Sequence, residues 1–288
     1  MRLNESSVSP GSSVDSSLAF ASLVAIALLF FLHPVGTSDL FWQMKAGELI
    51  LETGSVPRVD VFSFTAAGRP WHDHEWLANI IYYGTWRAGG FGLLSVLSFA
   101  TGLCLVASVY AGARALSGSK PIAVILAFFV CAASAQRLQQ FRPELFAFLF
   151  FSLILWIIFS TSRSRLRRLW LVVPMHILWA NLHASAIIGP PLLFLAGSTI
   201  ILQATRRGGE APISWRALLL LAAASAAALA LNPYGPGIYT FPFEHMGQGF
   251  SLAVTSDWAS PSWFSPVADI SAWGLTAFAA ASLVMGGL

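Results

Sequence analysis

The stretch from Leu169 to Gln203 is almost unbroken apolar sequence. It is too long for one crossing of a bilayer, which takes about 20 residues. Asn181, His183 and the Gly189-Pro190-Pro191 break let it double back as two helices, Leu169–Ala180 and Ala186–Gln203, joined by a tight turn. Further spans are predicted near Leu18–Val35, Phe91–Ala115, Pro121–Ala135, Pro143–Ser160, Ala217–Leu231 and Val267–Leu288. The expected fold class is therefore all-α integral membrane, with about eight transmembrane helices. Composition points the same way. Hydrophobic residues make up 56% of the chain and charged residues only 10%, against roughly 25% charged in an average soluble domain.

Residues 1–17 are Ser-rich and read as a disordered cytoplasmic tail, ahead of one polytopic domain over 18–288. No small-residue cleavage site follows Leu18–Val35, so it reads as an uncleaved first span. The ending Met285-Gly286-Gly287-Leu288, without a polar tail, reads as a fragment of a longer protein. Cys104 and Cys131 lie in apolar runs and suit packing rather than a disulfide or a metal.

Placing the N-terminus inside puts Lys45, Arg58, Arg69, Arg87, Arg137 and Arg142 on outer connections and the other ten of the 16 Lys and Arg on inner ones. That split follows the positive-inside rule. The acids divide the other way, with only Glu5, Asp15 and Glu210 inside. The formal charge of +3 thus reports orientation, and nucleic acid is disfavoured as a partner. Function is expected at the outer face of the membrane.

The first outer loop, residues 36–90, is organised. Ser38 or Asp39 can cap a helix running to about Thr53, with Leu40, Met44, Gly47 and Leu51 on one face and Gly54 closing it. A second amphipathic helix opens at Trp71–Leu77 and ends near Gly89-Gly90, its Trp and Tyr residues suited to headgroup depth. Asp39 reads either as a helix cap or as a general base at the lipid boundary. His72, Asp73, His74 and Glu75 form the densest ionisable cluster, either a cap with a favourable first turn or a site for a metal or phosphate. Arg137 and Arg142 either snorkel or clamp phosphate oxygens. Asn181 and His183, at the hairpin tip, are polar groups at membrane depth and lean towards function. Asn232–Gly237 reads as a structural turn, His33, His176 and His245 as packing or interface residues, and Asp257 as isolated.

The order of these features resembles the C-type (GT-C fold) superfamily of polytopic membrane glycosyltransferases. A first span leads into Ser38-Asp39, then Gly54-Ser55-Val56-Pro57 and Asp60, then a second helix in the same loop. The segments Phe141-Arg142-Pro143-Glu144 and Leu178–His183 are similar to those of a poorly characterised bacterial branch. The resemblance implies that Asp39 is the catalytic carboxylate, taking the proton of an acceptor hydroxyl that attacks a sugar carried on polyprenyl phosphate. His72, Asp73, His74, Glu75, Arg137, Arg142, Asn181 and His183 would contact substrate. Some members pair the first acid with an adjacent one or use a metal, but Leu40 follows Asp39 here, so a divalent metal is allowed and not required. The implied partners are the bilayer and the lipid-linked sugar, with the acceptor left open among glycan, lipid and protein. Two other readings stand beside this one: a non-catalytic transporter or lipid-binding scaffold, and a metal-dependent membrane hydrolase built on His72, His74 and Glu75.

Overall fold

The computed structural model describes residues 10–33 and 37–241 of the 288-residue chain. The predicted span Val267–Leu288, with His245 and Asp257, lies outside the described residues. Those described form an all-α protein with one isolated antiparallel bridge, Val59 to Pro70.

Helix α1 spans Pro10–Phe31, so helix begins ahead of Leu18, inside the stretch expected to be a tail. Helix α2 covers Ser38–Thr53. Its cap position is Thr37, which makes no side-chain cap bond, and Gly54 ends it in the left-handed region at φ 67°, where a side chain is disfavoured. Asp39 is thus in the first turn and is not the cap. Helix α3 runs from Trp76 to Ser117 but is broken at Gly89 (φ −158°, ψ 21°) and Gly90 (φ 62°, ψ −158°). The pair that ends the second loop helix in the sequence therefore divides α3 into two rods.

Helix α4 (Lys120–Ala133) is capped by the Ser119 hydroxyl, which accepts from the Ile122 N–H, and the short α5 (Ala135–Leu138) follows it. Helix α6 is Glu144–Phe159. A 3₁₀ segment, Arg163–Leu171, leads into α7 (Val172–Leu182). The apolar hairpin turns at His183, extended at φ −163°, and a 3₁₀ turn over Ala184–Ile188 feeds α8 (Gly189–Arg206). Helix α9 (Trp215–Leu229) is capped by Ser214, and a last 3₁₀ turn covers Gly235–Tyr239.

Among the described residues two helical stretches are long and apolar enough to cross a membrane, Trp76–Ser117 and Ala184–Arg206. Asp15–Phe31, α4, α6 and α9 are apolar but shorter, at 10–17 residues, where about eight full spans were expected. Large apolar side chains face outwards as well as inwards: Phe20 is 67% exposed, Phe129 62% and Leu195 64%.

Helix α3 is the axis of the bundle and touches α1, α2, α4, α6 and α7. One core gathers side chains of α1 to α4 with the start of α6, and a second fills the space among α6, α7, α8 and α9. Helices α4 and α6 pack on α3 rather than on each other, leaving a groove between them with α3 as its floor. The inner face of α2 is Leu40, Gln43, Met44, Gly47 and Ile50, while Leu51, expected on that face, is 52% exposed. Helix α2 meets α3 at Gly47, where a Cβ would lie 2.1 Å from the Asn79 carbonyl oxygen.

Gly47→Ala is expected to destabilise the fold by about 1–3 kcal/mol through overpacking against backbone. Gly92→Ala, on an exposed turn of α3 with open space around it, should be neutral or stabilising by roughly 0.5–1 kcal/mol. Chemical denaturation of the two variants checks the contrast.

Candidate functional site

The close approach at Gly47 holds one face of α2 against the residues that start α3. Asp39 and Gln43 are four residues apart on α2, about 6 Å along its axis. Each meets a charged group from another part of the chain. Gln43, only 2% exposed, donates its amide Nε2–H to Glu75 Oε2 at 3.1 Å. Asp39 Oδ2 lies 2.6 Å from Arg142 Nη2, and the Trp42 indole N–H reaches Asp39 Oδ1 at 3.4 Å.

Glu75 is the hub. Its Oε1 is 3.5 Å from His74 Nε2 and 3.5 Å from His183 Nε2, so two imidazoles share one carboxylate oxygen. The His183 ring is oriented from behind by the turn it caps. Its Nδ1 accepts the Ser185 backbone N–H at 3.2 Å and lies 2.8 Å from Ser185 Oγ, which also accepts the Trp179 indole N–H. With Nδ1 accepting, the neutral ring carries its proton on Nε2, facing Glu75.

Burial and charge work against each other here. Burial pushes the Glu75 carboxyl up, but the hydrogen bond and charge of His74, the charge of His183 and the Gln43 amide outweigh it and leave the pKa below the usual value. Burial pulls His74 down, yet the bond and charge of Glu75, with Asp73 behind it, raise it overall. His183 is drawn down to about 4 by burial, with the attraction of Glu75 only partly offsetting. At neutral pH the cluster is therefore an ionised Glu75 between a histidine inclined to carry charge and a neutral one.

The neighbouring residues of the sequence cluster separate. Asp73, 1% exposed, accepts from the Asn79 amide at 2.9 and 3.0 Å and from the Glu75 N–H at 3.3 Å, so it shapes the turn that aims Glu75 inwards. Burial lifts its pKa to about 6. The His72 ring turns away to meet Tyr234 edge-on at 4.8 Å and Phe241 at 5.6 Å. The set His72, His74 and Glu75 is accordingly not brought together, and among the described residues no three His, Cys, Asp or Glu side chains are placed to hold a metal ion.

Asn181 works as a junction: its Oδ1 accepts the Trp76 indole N–H at 3.0 Å, and its Nδ2 donates to the Ile177 and Leu231 carbonyls. Arg137 is 3.8 Å from Glu144. Arg142 and Glu144 lie at the entry to α6, so the Asp39 and Glu144 ion pairs are neighbours.

Several contributors carry no signal as motifs. Gln43 could have been found only from its i+4 spacing to Asp39. Tyr234 fixes the loop by accepting the Asp73 N–H at 2.7 Å, while the Arg58 guanidinium lies 4.5 Å over its ring and donates to the Pro233 carbonyl.

Beside this site the groove between α4 and α6 encloses about 390 Å³, within the ~300–1,000 Å³ of small-molecule sites. Its walls are mostly apolar, and Glu144, His183 and Ser185 close one end. Comparison with known proteins gives no match to any family model, any curated protein or any solved structure.

Acidification tests the assignment of His183. A histidine whose folded pKa is lowered to about 4 binds fewer protons folded than unfolded between roughly pH 4 and 6.5, so the stability it lends is full above 6.5 and is lost as pH falls. In thermal melts the wild-type protein should lose on the order of 3 kcal/mol more than His183→Gln between pH 7 and pH 4. Parallel profiles for the two proteins would contradict the assignment.

Proposed function

We propose that this chain is a membrane-embedded glycosyltransferase of the C-type kind, moving a sugar from a polyprenyl-phosphate donor to an acceptor hydroxyl at the outer face of a bacterial inner membrane. The carrying observation is the convergence of Asp39–Arg142 and the Glu75 cluster on adjacent turns of α2 next to the polar end of an apolar groove. Anionic head groups and hydrocarbon chains are the two halves of a lipid-linked sugar phosphate, and this neighbourhood suits both.

The membrane reading is supported by the apolar outward surface, which would be an aggregation liability in water. The two long apolar stretches also support it. In this reading the multi-pass bundle has its N-terminus inside and the 36–90 loop outside.

The chemistry follows from the groups present. The acceptor oxygen attacks the anomeric carbon, the bond from that carbon to the phosphate oxygen breaks, and the acceptor proton passes to Asp39. Arg142, paired with Asp39, is placed to meet the departing phosphate, with Arg137 and His74 as further hydrogen-bond donors. The groove equally suits a lipid-binding scaffold without chemistry, and a covalent product separates the two.

Asp39→Asn in the purified full chain should reduce sugar transfer from a labelled polyprenyl-phosphate sugar by about 10²–10⁴-fold. A melting temperature near that of wild type would exclude misfolding as the cause. Undiminished transfer by the variant would remove Asp39 from the mechanism, and lipid binding with no product from wild type would favour the scaffold.

A further inference from the structure

The loop between α2 and α3 displays apolar side chains on a stiffened turn. Residues 58–70 fold back on themselves: the Asp60 N–H donates to the Arg69 carbonyl and the Gly68 N–H to the Asp60 carbonyl, both at 2.8 Å, while the Trp71 N–H reaches the Arg58 carbonyl at 2.9 Å. Val59 is bridged to Pro70. The Asp60 carboxylate closes the turn, accepting the Phe62 and Ser63 N–H groups at 2.8 and 2.9 Å and the Ser63 hydroxyl. These bonds hold a tip on which Phe64 is 100% exposed, Val61 53% and Phe62 38%. Single exposed apolar residues are ordinary, but three within four positions of an ordered turn make a patch.

Charge sorts along this hairpin. Residues 61–68 carry no ionisable side chain, whereas Arg58, Asp60 and Arg69 stand at the neck. The bonds from Ser63 and Phe62 hold the Asp60 carboxyl below its usual range, so the neck keeps its charge. A charge-free tip on a charged neck suits a segment whose end enters an apolar phase while its base stays wet. An aromatic series then ties the tip to the bundle. Phe62 meets Trp71 edge-on at 5.6 Å, Trp71 meets Trp42 of α2 at 6.2 Å, and beside Trp42 the ring of Phe41 meets Phe91 at 6.2 Å. Phe91 opens the second rod of α3, inside one of the stretches apolar enough to cross a membrane, and Phe41, Trp42 and Phe91 are all exposed. Aromatic side chains gather where spans meet the head groups. This series runs from that point to the hairpin without a break, and the continuity selects lipid over a protein partner.

We propose that the tip, residues 61–64, inserts into the leaflet that α3 enters at Phe91 and anchors the loop there through Phe62 and Phe64. This rests on the membrane part of the functional reading and is independent of sugar transfer. Insertion is shallow, because the charged neck and the open backbone of the turn must keep water. Through Arg58, which donates to the Pro233 carbonyl beside Tyr234, the anchored loop is tied to the turn that bears Glu75.

The test uses the purified full chain in phosphatidylcholine and phosphatidylglycerol vesicles. A trace phospholipid carries a diazirine on its acyl chain, either near the head group or near the chain end, and adducts are mapped by peptide mass spectrometry. The expected result is labelling of residues 61–64 by the shallow probe and little by the deep one, alongside labelling of the outward-facing Phe129 and Leu195 by one probe or the other. Phe64→Asp changes a fully exposed side chain with no packing to lose. It should melt with wild type in detergent, lower tip labelling by about tenfold and leave Phe129 and Leu195 labelled as before. Labelled Phe129 and Leu195 with an unlabelled tip would overturn the proposal and leave the membrane reading standing, as would tip labelling that Phe64→Asp does not change. Cross-links from residues 61–64 to a second copy of the chain, in place of lipid adducts, would overturn it in favour of a protein contact. Tip labelling with Phe129 and Leu195 unlabelled would keep the lipid anchor and remove the spanning bundle, and no labelling at any of these positions would overturn both.

Discussion

The arrangement depends on the contact between α2 and the first turns of α3, where the absence of a side chain at Gly47 lets the helix rest on the Asn79 carbonyl. A separation that small fixes the register of the two elements. It sets Gln43 opposite Glu75 and carries Asp39 to Arg142 one turn away. Either α2 residue displaced by one position would rotate by about 100° and lose its partner. Two charged groups from residues 75 and 142 thus become neighbours through a helix that lies between them in space and not in sequence.

A carboxylate as enclosed as Glu75 is costly to ionise unless other groups replace the water it gives up. Two imidazoles and an amide do so here, and they do so unequally. Both histidines reach the same oxygen, and a charge on one opposes a charge on the other, so protonation of His74 is favoured over protonation of His183. The ion pair of Asp39 and Arg142 is more open to solvent, at 33% and 27% side-chain exposure. One site therefore contains two carboxylates in different surroundings, a familiar condition for giving them different tasks.

Much of the helical skeleton was legible in the chain. Gly54 and Gly90 mark breaks because they adopt backbone angles that other residues resist, and the fold-back near His183 follows from polar residues and prolines inside an apolar run. The inner face of α2 was only partly legible. An apolar stripe places Leu51 inside, whereas the buried set includes the polar Gln43, whose partner is 32 residues away. The His72–Glu75 cluster shows the same limit. These four residues sit in a non-helical turn, where no period dictates side-chain direction, and the structure sends His72 to Tyr234, Asp73 to Asn79, and His74 and Glu75 to each other and His183. Adjacency in sequence made them look like one ligand set.

Tyr234 bears on how such a protein is made. Its hydroxyl holds the Asp73 N–H from 161 residues further along the chain, and Arg58 lies against its ring. At ribosomal speeds of about 5–20 residues per second, that partner is synthesised roughly 10–30 s after the loop. The segment bearing Glu75 is therefore without this clasp until that stretch has been made. The turn that carries Glu75 thus takes its observed geometry only after residue 234 has been made, so the order of synthesis sets the order in which the cluster is assembled.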